Sequence, residues 1–293
     1  MRLPNFLIVG APKAGTTALY QYIGQHPSVF MSQNKEPHYF SYVHEQWPEW
    51  ATQSLQEYSE LFSHCQSQSA LGEASTWYLY STTAAQAIHD EIPDAKIIAI
   101  LRQPVDRAYA SFVFRQQCGW ENLSAFSEAI AQEPERIAKG MPWDYHYLQA
   151  GFYGRQLQRY FNVFQKSQIK VILQEDLKFK PQETMRSVFE FLEIDHVDVI
   201  DTSQKHNVTK QPQNQTVNNF LARSNPIKTA LKRIIPHSYS QKMANAIRAI
   251  NLKSVERINP ELRKRLMPGF RDDILQLQDL IDRDLSHWLH PQD

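Results

Sequence analysis

Phe6-Leu7-Ile8-Val9-Gly10-Ala11-Pro12-Lys13-Ala14-Gly15-Thr16-Thr17-Ala18-Leu19-Tyr20 is the stretch on which the fold turns. The apolar run Phe6 to Val9 suits a strand buried on both faces, and Gly10 stops it. From Thr16 to Tyr22 helix formers carry apolar spacing, so the predicted order is strand, tight loop, helix. A loop in that position turns its backbone N–H groups and the positive end of the helix dipole toward one point, where an anion binds. Gly10 and Gly15 have the spacing of the nucleoside-triphosphate loop G-x-x-x-x-G-K-[ST], yet Thr16 stands at its lysine position and Lys13 lies mid-loop. Lys13 is placed for the bridging oxygen of a 5′-phosphate, and the Thr16 and Thr17 hydroxyls for its outer oxygens. No acidic residue follows a strand in the way that holds magnesium, so no metal is expected.

Outward from this loop the pattern repeats. Lys96-Ile97-Ile98-Ala99-Ile100-Leu101 is a second apolar strand, which Arg102-Gln103-Pro104 ends while opening a helix. Ile169 to Leu173 is a third, followed after Pro181 by a helical stretch from Thr184 to Leu192. Three strand-then-helix units predict an α/β fold, a P-loop-like parallel sheet flanked by helices. Further helices are expected over Leu123 to Ile137 and over Tyr147 to Phe164, where Leu148, Phe152, Leu157, Tyr160 and Phe161 recur at helical intervals. Ser203 to Gln215 is polar and reads as a surface loop. From about residue 215 no strand is expected, and the C-terminal region reads as helical. Ile274, Leu277, Leu280, Ile281, Leu285 and Trp288 share one face of a closing helix. The expected organisation is one domain over 1–293, its core at about 5–200 and a helical region at about 215–290 packing on it.

Composition narrows the function classes. Lys+Arg and Asp+Glu both total 31, so no overall field draws in nucleic acid or an anionic membrane, and any anion site is local. Cys65 and Cys118 lack the number of a disulfide framework and the spacing of a metal site. The apolar stretch from Phe6 to Val9 is too short for a signal-peptide core or a membrane span, and the expected location is cytoplasmic.

Arg102 begins at the carboxyl end of its strand, where ligands gather in open parallel sheets, and a guanidinium there can fork onto two phosphate oxygens. Asp106 and Arg107 lie in the first turns of the helix that follows, where local ion pairing explains them as well as ligand binding does. Phosphate readers on two separate strand ends suit a nucleotide with phosphates at two separate positions.

The segments G-A-P-K-A-G-T-T-A-L-Y, H-P-S-V, K-E-P-H-Y-F, G-E-A-S, L-R-Q-P-V-D-R-A-Y, G-F-Y-G-R-Q-L, E-D-L and R-D-L-S-H-W-L together resemble the sulfotransferase family that uses 3′-phosphoadenosine-5′-phosphosulfate (PAPS), especially its heparan-sulfate-type and bacterial branches. The resemblance runs from about residue 5 to 290. It implies that Lys13, Ala14, Gly15, Thr16 and Thr17 hold the 5′-phosphosulfate and that Arg102 grips the 3′-phosphate. The family serine of the 3′-phosphate site falls on Ala110, and Ser111 beside it is the candidate in its place, about 100° further round a helix. In the segment from Lys35 to Phe40 the resemblance makes Glu36 the catalytic base, with His38 either sharing that work or orienting the acceptor. Ala74 stands where many relatives carry lysine, and Gln174 where they carry tyrosine, so no carbohydrate specificity is transferred.

The expected reaction moves a sulfuryl group to a hydroxyl or amine of a small-molecule or carbohydrate-like acceptor. The alternatives are an NTP-dependent small-molecule kinase and a non-catalytic nucleotide-binding module. Trp77, Tyr78, Tyr80, Trp143, Tyr145 and Tyr147 are either acceptor-stacking residues or core. Lys228, Lys232 and Arg233 form a basic cluster at helical spacing, either a solvated face or a clamp on an anion. The sequence assigns no oligomeric state.

Overall fold

The computed structural model describes residues 1–41, 49, 51–197, 200–203, 210–212, 252–254 and 257–290. Along the chain these form β1 (Phe6–Gly10), α1 (Thr16–Ile23), β2 (Val29–Met31), α2 (Leu55–Glu60), β3 (Ala70–Ala74), α3 (Ala84–Glu91), β4 (Lys96–Leu101) and α4 (Pro104–Cys118). There follow α5 (Phe126–Ala131), α6 (Glu133–Ala138), α7 (Tyr153–Phe161), β5 (Ile169–Leu173), α8 (Gln174–Phe179), α9 (Pro181–Leu192), β6 (Lys210–Pro212), β7 (Leu252–Ser254), α10 (Pro260–Leu266), α11 (Arg271–Ile281) and α12 (Ser286–Leu289). Two compact units emerge, one of Met1–Arg107, Ala150–Asn207 and Met267–Asp293, the other of Ala108–Gln149 and Val208–Leu266.

The first unit is built on a parallel sheet of order β2-β3-β1-β4-β5, flanked by helices as expected. Every residue of β1 is buried, and the run from Ile97 to Leu101 of β4 is wholly inaccessible, which is why both strands read as unbroken apolar runs. Each Phe, Leu, Ile or Val side chain among them contributes about 1.5–3 kcal/mol by leaving water. The chain leaves β1 for the edge strand β2, returns through β3 beside β1, and crosses to β4 on its other side. The order therefore reverses around β1, and its loop opens at the point where open α/β sheets bind ligands.

Three helix expectations are corrected. The stretch Leu123 to Ile137 is two helices, α5 and α6, because Pro134 enters the first turn of the second and proline cannot continue a helix through its interior. The stretch Tyr147 to Phe164 is helical only as α7, after a 3₁₀ turn at Gln149–Gly151. Its start is fixed from outside: Asp273 accepts the N–H groups of Gly154 and Arg155 at 2.8 and 3.0 Å. The closing helix is also two pieces. α11 stops where Asp282 turns left-handed at φ 51°, and α12 then carries Trp288. Of the six apolar residues expected on its face, Ile274, Leu277, Leu285 and Trp288 are buried, while Leu280 and Ile281 are half-buried.

Two familiar motifs turn out to be each other's partners. Glu175 accepts from the His287 ring at 2.9 Å and from the Trp288 indole at 2.8 Å, and Arg283 grips Asp176 through both oxygens. The E-D-L segment of α8 thus clamps the R-D-L-S-H-W-L segment within the first unit.

In the second unit, Glu121 is 2% exposed and accepts from Arg136 at 2.6 and 3.1 Å and from Tyr147 at 2.8 Å. Burial raises its carboxyl, but these bonds outweigh that and hold it below the ordinary value. Tyr109, Phe112, Phe126 and Tyr147 pack ring against ring beside it. β6 and β7 pair antiparallel, which corrects both the expectation of no strand after residue 215 and the reading of Ser203 to Gln215 as loop throughout. Lys228, Lys232 and Arg233 lie outside the described residues.

Candidate active site

The loop between β1 and α1 is shaped by its backbone. Gly15, the N-cap of α1, has φ 108°, so it needs glycine, and it brings no side-chain cap to the first helical N–H groups. Lys13 is also left-handed at φ 67°, a region that non-glycine residues occupy sparingly and that clusters at functional sites. Its neighbour Ala14 is fully buried, Thr16 is 5% exposed and Thr17 is half-buried. Ala11 donates its N–H to the Ile100 carbonyl at 2.7 Å, which pins the loop to the end of β4. Gln174, the departure from the family tyrosine, lies beside the loop, its Cγ 3.8 Å from where a Cβ on Gly15 would stand.

Arg102 follows β4 and donates to the Lys13 carbonyl at 3.4 Å. The two loops expected from the sequence to read anions thus meet. Arg107, in the first turn of α4, is fully buried, and so is Tyr153, whose hydroxyl is raised by burial and pulled back by the charges of Arg107 and Arg102. The implied Ser111 is on α4 in the second unit, 5% exposed, next to Ala110 at 9%.

Glu36 is held at the end of β3, its N–H bonded to the Ala74 carbonyl at 2.9 Å. Four groups surround its carboxylate: Lys35 Nζ at 2.6 Å, His38 Nε2 at 3.0 Å, the Thr76 N–H at 2.9 Å and the Thr76 hydroxyl at 3.1 Å. Burial works against the charge, but the bonds from His38 and Lys35 and their charges prevail and bring the carboxyl down to about 2. Glu36 and His38 both have positive φ, 67° and 56°. The His38 ring is 4% exposed, with Nε2 on Glu36 and Nδ1 within 3.2 Å of Ser41 Oγ.

Thr76 joins the two halves. After β3 the chain folds over β1: Ser75 donates to the Ile8 carbonyl and Leu79 to that of Val9. This brings the Thr76 carbonyl within 2.9 Å, and Leu79 Cβ within 2.7 Å, of where a Cβ on Gly10 would stand, so only glycine fits there. Arg159 of α7 fastens the same turn, donating to the carbonyls of Leu79 and Tyr80 at 2.9 and 3.0 Å. Neither Thr76 nor Arg159 was marked by local sequence, since each acts on residues far from it in the chain. Of the aromatic candidates, Trp77, Tyr78 and Tyr147 are buried, and Tyr80, Trp143 and Tyr145 are half-buried. Among the described residues no group of three or more His, Cys, Asp or Glu gathers as a metal site, and no helix is long and apolar enough to cross a membrane.

Comparison with known proteins bears on this arrangement. The family model described as sulfotransferase domain matches residues 3–254. The membrane-associated sulfotransferase kil1 of Dictyostelium discoideum is 23% identical over an alignment that covers 75% of this chain and 62% of that protein. The bifunctional heparan sulfate N-deacetylase/N-sulfotransferase 3 of Homo sapiens is 30% identical over 65% of this chain and 22% of its own length. The chain therefore spans less than two thirds of either relative. A crystal structure of a sulfotransferase from Alicyclobacillus acidocaldarius aligns over 99% of this chain and 100% of its own, at 30% identity and a TM-score of 0.77. With a parallel sheet whose order reverses around β1 and a family match over most of its length, this chain belongs to the sulfotransferase domain family, enzymes that transfer sulfuryl groups.

Proposed function

We propose that the chain moves a sulfuryl group from PAPS to a hydroxyl or amine of a small-molecule or carbohydrate-like acceptor and releases adenosine 3′,5′-bisphosphate. The observation that carries this reading is the Arg102 contact with the Lys13 carbonyl at 3.4 Å, which joins two anion-reading strand ends. Such a pair suits one nucleotide bearing phosphates at two positions. The residues present fit that donor: Lys13, Gly15, Thr16 and Thr17 for the 5′-phosphosulfate and Arg102 for the 3′-phosphate. A heparan sulfate N-sulfotransferase among the relatives supports the carbohydrate-like class of acceptor.

Transfer is one in-line displacement. The acceptor atom bonds to sulfur as the bond from sulfur to the donor phosphate oxygen breaks, the electron pair leaves with that oxygen, and the acceptor proton passes to Glu36. Lys13 meets the charge growing on the leaving oxygen. A carboxyl held at about 2 is ionised and so able to accept at neutral pH, and the proton it receives grows more acidic as the acceptor atom bonds to sulfur. His38, buried with both ring nitrogens engaged, orients Glu36 rather than taking the proton.

Calorimetric titration with adenosine 3′,5′-bisphosphate, beside ATP and 5′-AMP with and without magnesium, tests the donor. Selective tight binding of the bisphosphate is expected. A preference for ATP that needs magnesium would overturn the reading in favour of a kinase.

A further inference from the structure

Glu73 lies in β3, fully buried, and the displacement described above gives it no part. Its carboxyl is well bonded: Tyr58 donates to Oε1 at 3.1 Å, Ser75 donates to Oε2 at 2.9 Å, and the Tyr78 hydroxyl bonds it as well. Two of these partners also hold the segment that carries Glu36. Ser75 Oγ accepts the His38 backbone N–H at 3.0 Å, and Tyr78 Oη accepts that of Phe40 at 3.3 Å. That segment needs support from outside, because Glu36 and His38 are left-handed on either side of Pro37. Such conformations persist only where their surroundings over-determine them.

We propose, resting on the reading of Glu36 as the base, that Glu73 is a positioning residue for sulfuryl transfer: through Ser75 and Tyr78 it holds the Glu36-Pro37-His38 turn in its left-handed shape and so aims the Glu36 carboxylate at the acceptor. Ionised, Glu73 accepts hydrogen bonds from all three hydroxyls and leaves Ser75 Oγ free to accept from the His38 N–H. Protonated, it turns one oxygen into a donor and competes for that same Ser75 oxygen. The groups that face it are Ser75, Tyr58 of α2, Tyr78 and the Glu36 carboxylate, with Tyr20 of α1 and Tyr160 of α7 also within its field, and none of these is a cation. Burial raises the carboxyl, the bonds from Tyr78, Ser75 and Tyr58 pull it back, and the Glu36 charge adds to the rise, for a balance at about 7. The hydrogen-bond pattern that aims the turn is therefore complete only as pH rises through that value, even though ionising a buried carboxyl lowers the stability of the fold as a whole.

The test compares wild type with Glu73→Gln and Ser75→Ala, measuring kcat against pH with a verified acceptor, and bisphosphate affinity by calorimetry. Misplacing the base costs about a hundredfold in kcat, while affinity for the bisphosphate, bound at the β1 and β4 ends, stays within about twofold. The wild-type rise in kcat near pH 7 should vanish in Glu73→Gln; a limb that persists there overturns the pH part of the proposal. Unchanged kcat in both variants, or equal losses of kcat and bisphosphate affinity, overturns the positioning role while leaving the donor reading intact. If Glu73→Gln does not fold, Ser75→Ala decides alone on the same criterion. A wild-type chain that does not bind the bisphosphate defeats the sulfuryl-transfer reading, and this proposal with it.

Discussion

The Thr76 N–H donates to Glu36 Oε2 at 2.9 Å, while the carbonyl of the same residue lies 2.9 Å from the Cβ position of Gly10. One residue therefore connects the proposed base with the donor loop. Glu36→Gln keeps an acceptor oxygen for Thr76 but loses the capacity to take a proton. Turnover is expected to fall by about 10²–10⁴-fold, with bisphosphate binding almost intact. Steady-state rates beside calorimetry check it. A large loss of donor affinity instead would make Glu36 part of the scaffold.

Lys13→Ala should remove the cation that meets the leaving oxygen. The loss is about 2.7–4 kcal/mol of barrier, a hundred- to a thousandfold in rate. The thermal midpoint should hardly move, because lysine and alanine share the Cβ that makes φ 67° uncomfortable, and no new strain appears. Near-normal turnover in this variant would disprove the leaving-group role.

Two carboxyls, Glu36 in the left-handed turn and Glu73 behind Ser75, bend stability with pH in opposite senses. Glu36 is lowered from 4.5 to about 2, so its contribution is full above 4.5 and is lost as pH falls through 2. Glu73 is raised from 4.5 to about 7, so its contribution is full below 4.5 and is lost as pH rises through 7. Melting temperatures measured from acid to mildly alkaline pH should show Glu73→Gln removing the decline between 4.5 and 7, and Glu36→Gln removing the acid limb. Parallel curves for all three proteins would show that neither group titrates as described.

Gly154→Ala tests the start of α7. A Cβ there would stand 2.5 Å from the Asp273 carbonyl oxygen, which belongs to the backbone of α11 and cannot swing aside. Overpacking of this kind costs about 1–3 kcal/mol, read as a lowered denaturation midpoint at unchanged m-value. A midpoint equal to wild type would mean that α7 and α11 separate at no cost.

The sequence by itself determined β1, its loop and α1, the strands β4 and β5, and the positions of Lys13 and Arg102 at strand ends. These are local properties: an apolar run long enough to be buried on both faces declares itself, and so does the residue that ends it. The Pro134 break between α5 and α6 is equally local, and that signal was available. β2 needed the sheet because three residues make a strand only through the neighbour they pair with, β3 because Gly72 and Glu73 interrupt its apolar run, and β6 and β7 needed each other across the chain between Pro212 and Leu252. The start of α7 was decided by Asp273, 119 residues away. Only the tertiary structure could show that Thr76 holds Glu36 and that Glu73 stands behind Ser75. Hydrogen bonds between residues 37 and 40 positions apart leave no period in a sequence, whereas burial, which removes water as a competing partner, makes each of them necessary in the fold.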